Sequence, residues 1–360
     1  MQLKRKTTLM AALIVSIVLL NFIKTDQTLS IWERRELKQF PDIKTEAFLS
    51  GEWWIDFESY ALDQFVFRQE FRRLKIWFEE SVLRKQDLSG LFSEKNHLFK
   101  MLNYKDISEL DRFVSYIEHI TTAYFHDNRI YYVHIPDKTR YSDREWLIQW
   151  ETATEAFLKE NLQGLSFISI SNQLSLEHFY ATDTHWRQET LHPVAQSIIE
   201  AIGQEIQYDK SEFIKKEYPQ FLGVLYGQLP NRKTKETLYY LEHPNFQSYT
   251  IHDYEKGNID MYDPSKLTGM DGYDVFLSGA SPLLEIINPH AQTDKELVLF
   301  RDSFGSSLLP LLSLQYEKIT AIDTRYVPVS YLSKLLDFSP EQDVLFMYSS
   351  GIVHQYEALR

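Results

Sequence analysis

Cysteine is absent from this chain of 360 residues. The absence excludes disulfide bonds, thiolate metal sites and a cysteine nucleophile. It leaves the cellular compartment open, because a protein can be exported without disulfide bonds.

Positive charge is scarce as well. Lysine and arginine number 38 against 51 aspartate and glutamate, which gives a formal net charge of -13. Nucleic-acid binding that ignores base sequence needs basic surface, so no nucleic-acid partner is predicted. The chain is 44% hydrophobic and 14% aromatic, enough for a sizeable core in one large or two small domains.

Long apolar runs are also few, and one lies near the start of the chain. Basic residues at 4–6 precede an uncharged, mostly apolar run over residues 7–23. This run predicts a single-pass membrane anchor over residues 1–24, with its amino end in the cytoplasm and all later residues outside it. A cleaved signal peptide is the alternative, but residues 21–26 lack the small side chains of a cleavage site.

The rest of the chain predicts a helical juxtamembrane segment over residues 25–101 and a main domain over 102–360. In the main domain, apolar runs of strand length alternate with helical patterns, which predicts an α/β fold whose mostly parallel sheet is covered on both faces. A polar stretch over about 208–267 reads as an insertion. Strands are predicted at 129–135, 165–170, 275–277, 297–300, 319–322 and 344–347, and helices at 106–125, 143–162, 189–202, 304–314 and 329–336.

The first chemically informative stretch surrounds Ser303. The apolar strand 297–300 ends at Arg301 and Asp302, and a helix pattern follows from Phe304. A serine there presents its hydroxyl at the crevice where open α/β sheets bind ligands. Its N–H lies at a helix N-terminus, ready to donate to a developing oxyanion. The alternative is a helix N-cap, a common position for serine.

The second informative stretch contains Asp183 and His185, two residues apart. In an extended segment both side chains point to the same side, so Asp183 can orient the imidazole toward a serine, as in a Ser-His-Asp triad. Trp186 then points the other way, as a buried anchor. The alternative is that Asp183 caps the following helix. His185 and His192 are seven apart, too far for one metal ion, and no metal is predicted.

Two further features lie near these motifs. Tyr226 stands between two glycines in a loop-like stretch and is a candidate pocket residue. Arg301 and Arg325 lie near Asp302 and Asp323 at two adjacent strand ends. We expect one arginine to pair with one of these aspartates and hold the serine turn in place.

Together these motifs resemble those of the DHHW proteins and of the AlgX/AlgJ-like group of SGNH hydrolases. The carrying stretches are Thr182-Asp183-Thr184-His185-Trp186 and Arg301-Asp302-Ser303-Phe304. The resemblance implies an SGNH-hydrolase-like three-layer α/β/α sandwich, with Ser303 as nucleophile, His185 as base and Asp183 as its orienting partner.

The same resemblance implies substrate or oxyanion candidates. Asp323-Thr324-Arg325-Tyr326 is similar to the family's Asp-x-Arg-Tyr segment, which marks Arg325 and Tyr326. Ser278-Gly279-Ala280 stands where relatives tend to have Gly-Gly-Asn. Ala280 has no side-chain donor, so Gly279 is left as a backbone donor.

The function that the resemblance implies is O-acetylation of a cell-wall, capsular or exopolysaccharide glycan outside the cytoplasm, without a cofactor. The implied partners are the glycan acceptor and a membrane-bound O-acyltransferase that supplies the acyl group. Two alternatives remain: a carbohydrate esterase that uses the same triad, and a non-catalytic glycan-binding or assembly protein.

Overall fold

The computed structural model describes residues 2–30, 33–229, 236–269 and 271–360. This described chain divides into two units. The first holds the residues up to Leu88 and a short segment that begins at Tyr226. The second holds the rest.

The first unit is mostly helical. Its elements are α1 (Gln2–Ile23), β1 (Leu29–Ser30), β2 (Arg35–Glu36), α2 (Thr45–Ser50), α3 (Glu52–Asp63) and α4 (Arg68–Ser81). Asp63 at the end of α3 accepts hydrogen bonds from Arg35 Nη1 (2.7 Å) and Nη2 (2.5 Å). These bonds lower the pKa of Asp63 to about 2, so the carboxylate stays charged and ties β2 to α3.

The predicted membrane anchor over residues 1–24 folds as helix α1. Among the residues that the structure describes, no helix combines the length and the apolar character needed to cross a membrane. The anchor prediction is therefore not supported.

The second unit alternates strands and helices. Its strands are β3 (Leu91–Glu94), β4 (His97–Lys100), β5 (Arg129–Ile135), β6 (Ser166–Ile168), β7 (Ile214–Phe221), β8 (Glu236–Glu242), β9 (Thr250–Asp253), β10 (Gly257–Asn258), β11 (Leu283–Ile287), β12 (Glu296–Arg301), β13 (Lys318–Ile322) and β14 (Asp343–Ser349). Its helices are α5 (Asp111–Tyr124), α6 (Glu145–Asn161), α7 (His192–Ala201), α8 (Gly305–Ser313), α9 (Leu332–Leu335) and α10 (Ser350–Val353).

Eight of these strands form the central sheet, in the order β10-β9-β11-β13-β12-β14-β5-β6. Neighbours from β13 to β6 pair in parallel, whereas β11, β9 and β10 add antiparallel pairs at one edge. The predicted mostly parallel α/β sheet is confirmed. The carboxyl ends of β12, β14 and β5 lie side by side, so loops that follow these strands meet at one edge.

Two apolar cores sandwich the sheet, because successive residues of a strand face opposite sides. In β12, Leu297 and Leu299 join the core that also contains residues of α7 and α8. Val298 and Phe300 join the core that contains residues of α5 and α6. All four side chains are essentially inaccessible, which explains why β12 is an unbroken apolar run. The arrangement is a three-layer α/β/α sandwich.

One predicted strand is wrong. Residues 275–277 form the end of a 3₁₀ helix, Gly272–Val275, and the turn that follows it. Asp271 caps this helix by accepting a hydrogen bond from the Tyr273 N–H (3.0 Å). Leu277, Ser278 and Gly279 then adopt left-handed backbone, with φ of 54°, 55° and 91°. A local side-chain cap, which the apolar pattern does not report, overrides strand propensity here.

The buried His134 of β5 predicts a loss of stability in acid. Burial, with the charges of Arg140 and His354, lowers the pKa of His134 to about 3 from its ordinary 6.5. Between these pH values the unfolded chain binds a proton that the native His134 does not bind. The free energy of unfolding should therefore fall as pH drops from 6.5 toward 3, by up to a few kcal/mol from this group.

Urea denaturation at pH 7 and pH 5 measures this effect. His134→Gln should show a smaller difference between the two pH values than the unsubstituted protein. His126→Gln is the matched control, since that side chain is 74% exposed. An equal pH dependence in all three proteins would contradict the assignment.

Candidate active site

Ser303 lies in the tight turn between β12 and α8, at the carboxyl edge of the sheet. Asp302, which is buried, braces this turn. Its Oδ1 accepts a hydrogen bond from the Phe304 N–H (2.9 Å), and its Oδ2 accepts one from the Ser349 N–H at the end of β14 (2.9 Å). The Ser303 N–H meets no acceptor within the described residues. The turn therefore presents both the hydroxyl and a free N–H of Ser303.

Ser303 Oγ lies 2.8 Å from His185 Nε2, and His185 Nδ1 lies 2.7 Å from Asp183 Oδ1. With the Nδ1 proton donated to the carboxylate, the Nε2 lone pair faces the serine hydroxyl. The His185 side chain is 14% exposed and that of Asp183 is 1% exposed. A substrate can therefore reach the imidazole, while the carboxylate is shielded from water. This is the geometry of a Ser-His-Asp triad.

The Asp183 carboxylate is fixed by backbone donors as well as by the imidazole. Its Oδ1 also accepts the His185 N–H (3.1 Å), and its Oδ2 accepts the Val224 N–H (2.7 Å). The neighbouring Gly223 N–H donates to Thr182 Oγ1 (2.8 Å). The segment after β7 therefore holds the aspartate in the rotamer that serves His185.

Aromatic rings enclose the imidazole. The Tyr273 ring stacks on His185 with centroids 3.9 Å apart and planes 10° apart, and Phe304 approaches at 4.8 Å. The Tyr273 hydroxyl donates to Ser307 Oγ (2.8 Å). Burial raises the pKa of Tyr273 well above its ordinary value, so the phenol stays neutral and keeps this bond.

Residues 179–187, which carry Asp183 and His185, form a loop that we call the histidine loop. Trp186 is inaccessible and anchors this loop to α8. Its Nε1 donates to the Phe304 carbonyl (3.0 Å) and to Ser307 Oγ (2.9 Å). Because the residue after His185 and the residue after Ser303 meet here, this contact sets the distance between base and nucleophile.

Lys138 supports the histidine loop through hydrogen bonds to its backbone. It follows β5, is 1% exposed, and donates through Nζ to the carbonyls of Tyr180 (3.1 Å) and Asp183 (2.5 Å). Burial lowers the pKa of Lys138 to about 8, against the opposing charges of Asp137, Asp183 and Glu236. A buried ammonium is costly unless polar groups surround it, and here the loop backbone provides them.

Two buried glutamates complete this support. Glu236 accepts the N–H groups of Ala181 (2.7 Å) and Thr182 (2.7 Å) and pairs with Arg187 (2.9 Å). Glu151 of α6 accepts the Asp137 N–H (3.0 Å), which fixes the turn that carries Lys138. Burial, together with the charge of Asp137, raises the pKa of Glu151 above its ordinary value.

The arginines act on structure in this geometry. Arg325 Nε and Nη2 bind the two carboxylate oxygens of Asp323 at 2.9 and 2.5 Å. Arg301 is buried, and its Nη1 donates to Ser306 Oγ (2.8 Å) at the start of α8. One arginine thus pairs with an aspartate, and the other contacts the serine turn directly.

Gly279 and Tyr326, which the sequence also marks, make no hydrogen bond or ring contact with the triad among the described residues. The Gly279 N–H donates to the Phe276 carbonyl (3.1 Å), so that donor is already used. Tyr326 is 49% exposed beside Arg325. Tyr226 belongs to the first unit, whereas the triad lies in the second. Within the described residues no group of three His, Asp or Glu side chains is arranged to hold a metal.

Sequence reasoning did not find Tyr273, Lys138, Glu151, Glu236 or Gly223. The signal for Lys138 was its position directly after a buried strand, beside Asp137. The others lie far from the motifs in sequence and reach them only through the fold.

Gly223→Ala should displace the segment that holds Asp183. A Cβ at this position would lie 2.3 Å from the Thr182 carbonyl oxygen and 2.4 Å from Asp183 Cβ. We expect the free energy of unfolding in urea to fall by about 1–3 kcal/mol, as for other overpacked sites. Gly351→Ala is the control, since its Cβ would meet Ser349 Oγ at an ordinary 3.5 Å. Equal stability of the two variants would argue against the tight approach.

Lys138→Met should misalign the triad, because methionine is nearly as long as lysine and donates nothing to the loop carbonyls. We expect phenylmethylsulfonyl fluoride to modify Ser303 roughly 100-fold more slowly, the cost of a displacement of about 1 Å. Lys159→Met, on the exposed side of α6, should react at the unsubstituted rate. A folded Lys138→Met protein that reacts as fast as the control would show that the ammonium does not position the loop.

Comparison with known proteins supports the fold. No family model matches the sequence, and no curated protein matches it. Among solved structures, a DHHW family protein from Eubacterium siraeum aligns with a TM-score of 0.63 at 15% identity, over 76% of this chain and 94% of that one. Bacillus cereus PatB1 aligns with a TM-score of 0.59 at 17% identity, over 73% of this chain and 97% of that one.

A second PatB1 structure, which carries a sulfonyl adduct, aligns with a TM-score of 0.58 at 16% identity, over 73% and 97% of the two chains. The resemblance that the Asp-x-His-Trp and Asp-Ser motifs indicate is thereby confirmed at the level of the fold: this chain has the fold of the DHHW family protein and of PatB1.

Proposed function

We propose that this protein is an extracytoplasmic O-acyltransferase that moves an acetyl group onto a hydroxyl of a cell-wall, capsular or exopolysaccharide glycan. The observation that carries the proposal is the continuous hydrogen-bonded chain from Ser303 Oγ through His185 to Asp183. In the proposal a membrane-bound O-acyltransferase supplies the acyl group. The motif resemblance supports the glycan acceptor and this partner.

The first half-reaction forms an acyl-enzyme. Ser303 Oγ attacks the carbonyl carbon of the acyl donor while His185 Nε2 takes the hydroxyl proton. The carbonyl oxygen becomes an oxyanion, and the free Ser303 N–H at the start of α8 is placed to donate to it. The imidazolium, stabilised by Asp183, returns the proton to the leaving oxygen as its bond to carbon breaks.

The second half-reaction repeats these steps with a sugar hydroxyl. His185 Nε2 takes the proton of that hydroxyl, its oxygen bonds to the acyl carbon, and Ser303 Oγ leaves with the proton from the imidazolium. An esterase would use water at this step, with the same residues. The acceptor therefore decides between the two activities, and the triad geometry is common to both.

Covalent labelling tests the nucleophile directly. Phenylmethylsulfonyl fluoride should add to Ser303: the Oγ–sulfur bond forms, fluoride leaves, and His185 takes the proton. p-Nitrophenyl acetate should likewise leave an acetyl group on Ser303, visible by intact-protein mass spectrometry.

Substitutions at the triad give graded outcomes. Ser303→Ala should abolish both adducts, and His185→Ala should cost nearly as much, because members of a triad act as a unit. Asp183→Asn should keep the fold and lose roughly 10,000-fold in rate through the wrong imidazole tautomer. Ser313→Ala is a matched control and should label as the unsubstituted protein does, since Ser313 is another buried serine, whose hydroxyl donates to the Pro310 carbonyl within α8. If the Ser303→Ala protein forms the adducts and hydrolyses p-nitrophenyl acetate like the unsubstituted protein, both enzyme functions are excluded. The binding-protein alternative then replaces them.

The acceptor separates transferase from esterase. Acetyl-enzyme formed from p-nitrophenyl acetate should decay slowly in water and faster when a chitooligosaccharide or a glucan oligomer is added. Mass spectrometry of the sugar should then show one added acetyl group per turnover. Decay that ignores every oligosaccharide and releases only acetate would favour the esterase.

A further inference from the structure

Helix α4 in the first unit turns its apolar side chains outward. Phe67, just before the helix, and Phe71, Leu74, Trp77 and Phe78 within it are 46–55% exposed. Positions 67, 71, 74 and 78 follow the helical repeat, so they form one stripe, with Trp77 at its border. We name these five side chains the α4 apolar face. Within α4, which is described throughout, only Ile76 is buried.

A charged side of α4 contacts other residues of the first unit. Arg68 and Arg72 both pair with Glu33, which is only 12% exposed. Arg72 Nη2 also donates to the Gly227 carbonyl (2.9 Å). Although burial opposes it, the hydrogen bond from Arg68 and the charge of Arg72 lower the pKa of Glu33, so the carboxylate remains charged.

This network fixes the rotation of α4. Rolling the apolar stripe inward would take Arg68 and Arg72 away from Glu33, leaving Arg35 as its partner, and would bring the guanidinium groups of Arg68 and Arg72 into solvent. An exposed apolar stripe of this length, held outward by partly buried ion pairs, is a surface for an interaction partner.

The chemistry of the surface favours a lipid membrane. The stripe is rich in Phe, Leu and Trp, as in helices that lie in the interfacial layer of a bilayer. Lys75 is exposed at the border of the stripe, and Arg73 is exposed further round the helix. Arg84 and Lys85 are exposed after the helix, where Lys85 Nζ pairs with Glu79 of α4 (2.9 Å). Among the carboxylates of α4, Glu70 is the exposed one. Long basic side chains beside such a stripe reach anionic headgroups while their stems lie on apolar surface.

The net charge of residues 1–88 is consistent with binding to an anionic lipid surface. Residues 1–88 carry 14 Lys and Arg against 13 Asp and Glu, whereas the full chain carries 38 against 51. An anionic bilayer repels the acidic remainder of the chain and does not repel this segment.

We propose that the α4 apolar face lies in the interfacial layer of an anionic phospholipid membrane, parallel to its surface and without crossing it. The proposal does not depend on the acyl-transfer function. A second copy of the chain is the competing occupant, and the experiment below separates the two.

The absence of cysteine allows a site-specific test on the full chain. A fluorophore sensitive to polarity, such as NBD, is attached at Leu74→Cys and, as a control, at Trp146→Cys. Trp146 is 46% exposed in the second unit, similar to Leu74 at 55%. Each labelled protein is mixed with vesicles of phosphatidylcholine alone or with added phosphatidylglycerol.

With the anionic vesicles, the label at position 74 should shift to the blue and brighten several-fold, and 0.5 M NaCl should weaken the effect. The label at position 146 should keep its aqueous emission. If the protein floats with vesicles while the label at 74 stays in water, another segment binds lipid and the proposal is overturned. A blue shift at 74 that rises with protein concentration and needs no vesicles would assign the face to self-association instead.

The double variant Phe71→Gln/Phe78→Gln tests the same face without a label. Removing two half-exposed phenylalanines should weaken vesicle binding at least about tenfold. Trp146→Gln is the matched control and should bind as the unsubstituted protein does. Equal flotation of the double variant and the control would overturn the proposal.

Discussion

The bond between the Asp183 carboxylate and the His185 imidazole is the constraint around which the second unit is organised. A carboxylate that is 1% exposed needs donors on both oxygens. Those donors come from its own loop and from Val224, 41 residues further along the chain. Burying this charge therefore requires the segment after β7 to dock against the histidine loop, and Gly223 permits the close approach.

The backbone of the loop around Asp183 also needs hydrogen-bond partners. The loop that carries Asp183 has little regular structure, so its carbonyls and N–H groups need partners elsewhere. Lys138 donates hydrogen bonds to two of the carbonyls, and Glu236 accepts hydrogen bonds from two of the N–H groups. Both side chains are buried, and their charges are opposite. Trp186 then fastens the loop to α8, the helix that begins beside Ser303. A loop between 3₁₀ turns thus acquires the rigidity that a triad needs.

The sequence was informative wherever a local pattern reports a local structure. The apolar run 297–300 predicted β12, and the strand-helix alternation predicted the sheet. The Asp-x-His spacing and the strand-end serine marked three side chains that the fold brings together. It failed at residues 275–277, where the Asp271 cap replaced a strand with a 3₁₀ turn. It also could not find Glu236 or Tyr273, because their contacts with the loop close over long stretches of chain and leave no local periodicity.

The stacking of Tyr273 on His185 has a kinetic consequence. Tyr273 stacks on one side of the imidazole, Phe304 lies nearby, and the Nδ1 bond to Asp183 turns Nε2 toward Ser303, so the same Nε2 acts in both halves of the proposed reaction. The leaving oxygen of the donor and the incoming oxygen of the acceptor therefore occupy one position in turn. In the proposed reaction the two substrates therefore exclude each other: each would inhibit competitively at high concentration, and double-reciprocal plots at several fixed acceptor concentrations would run parallel.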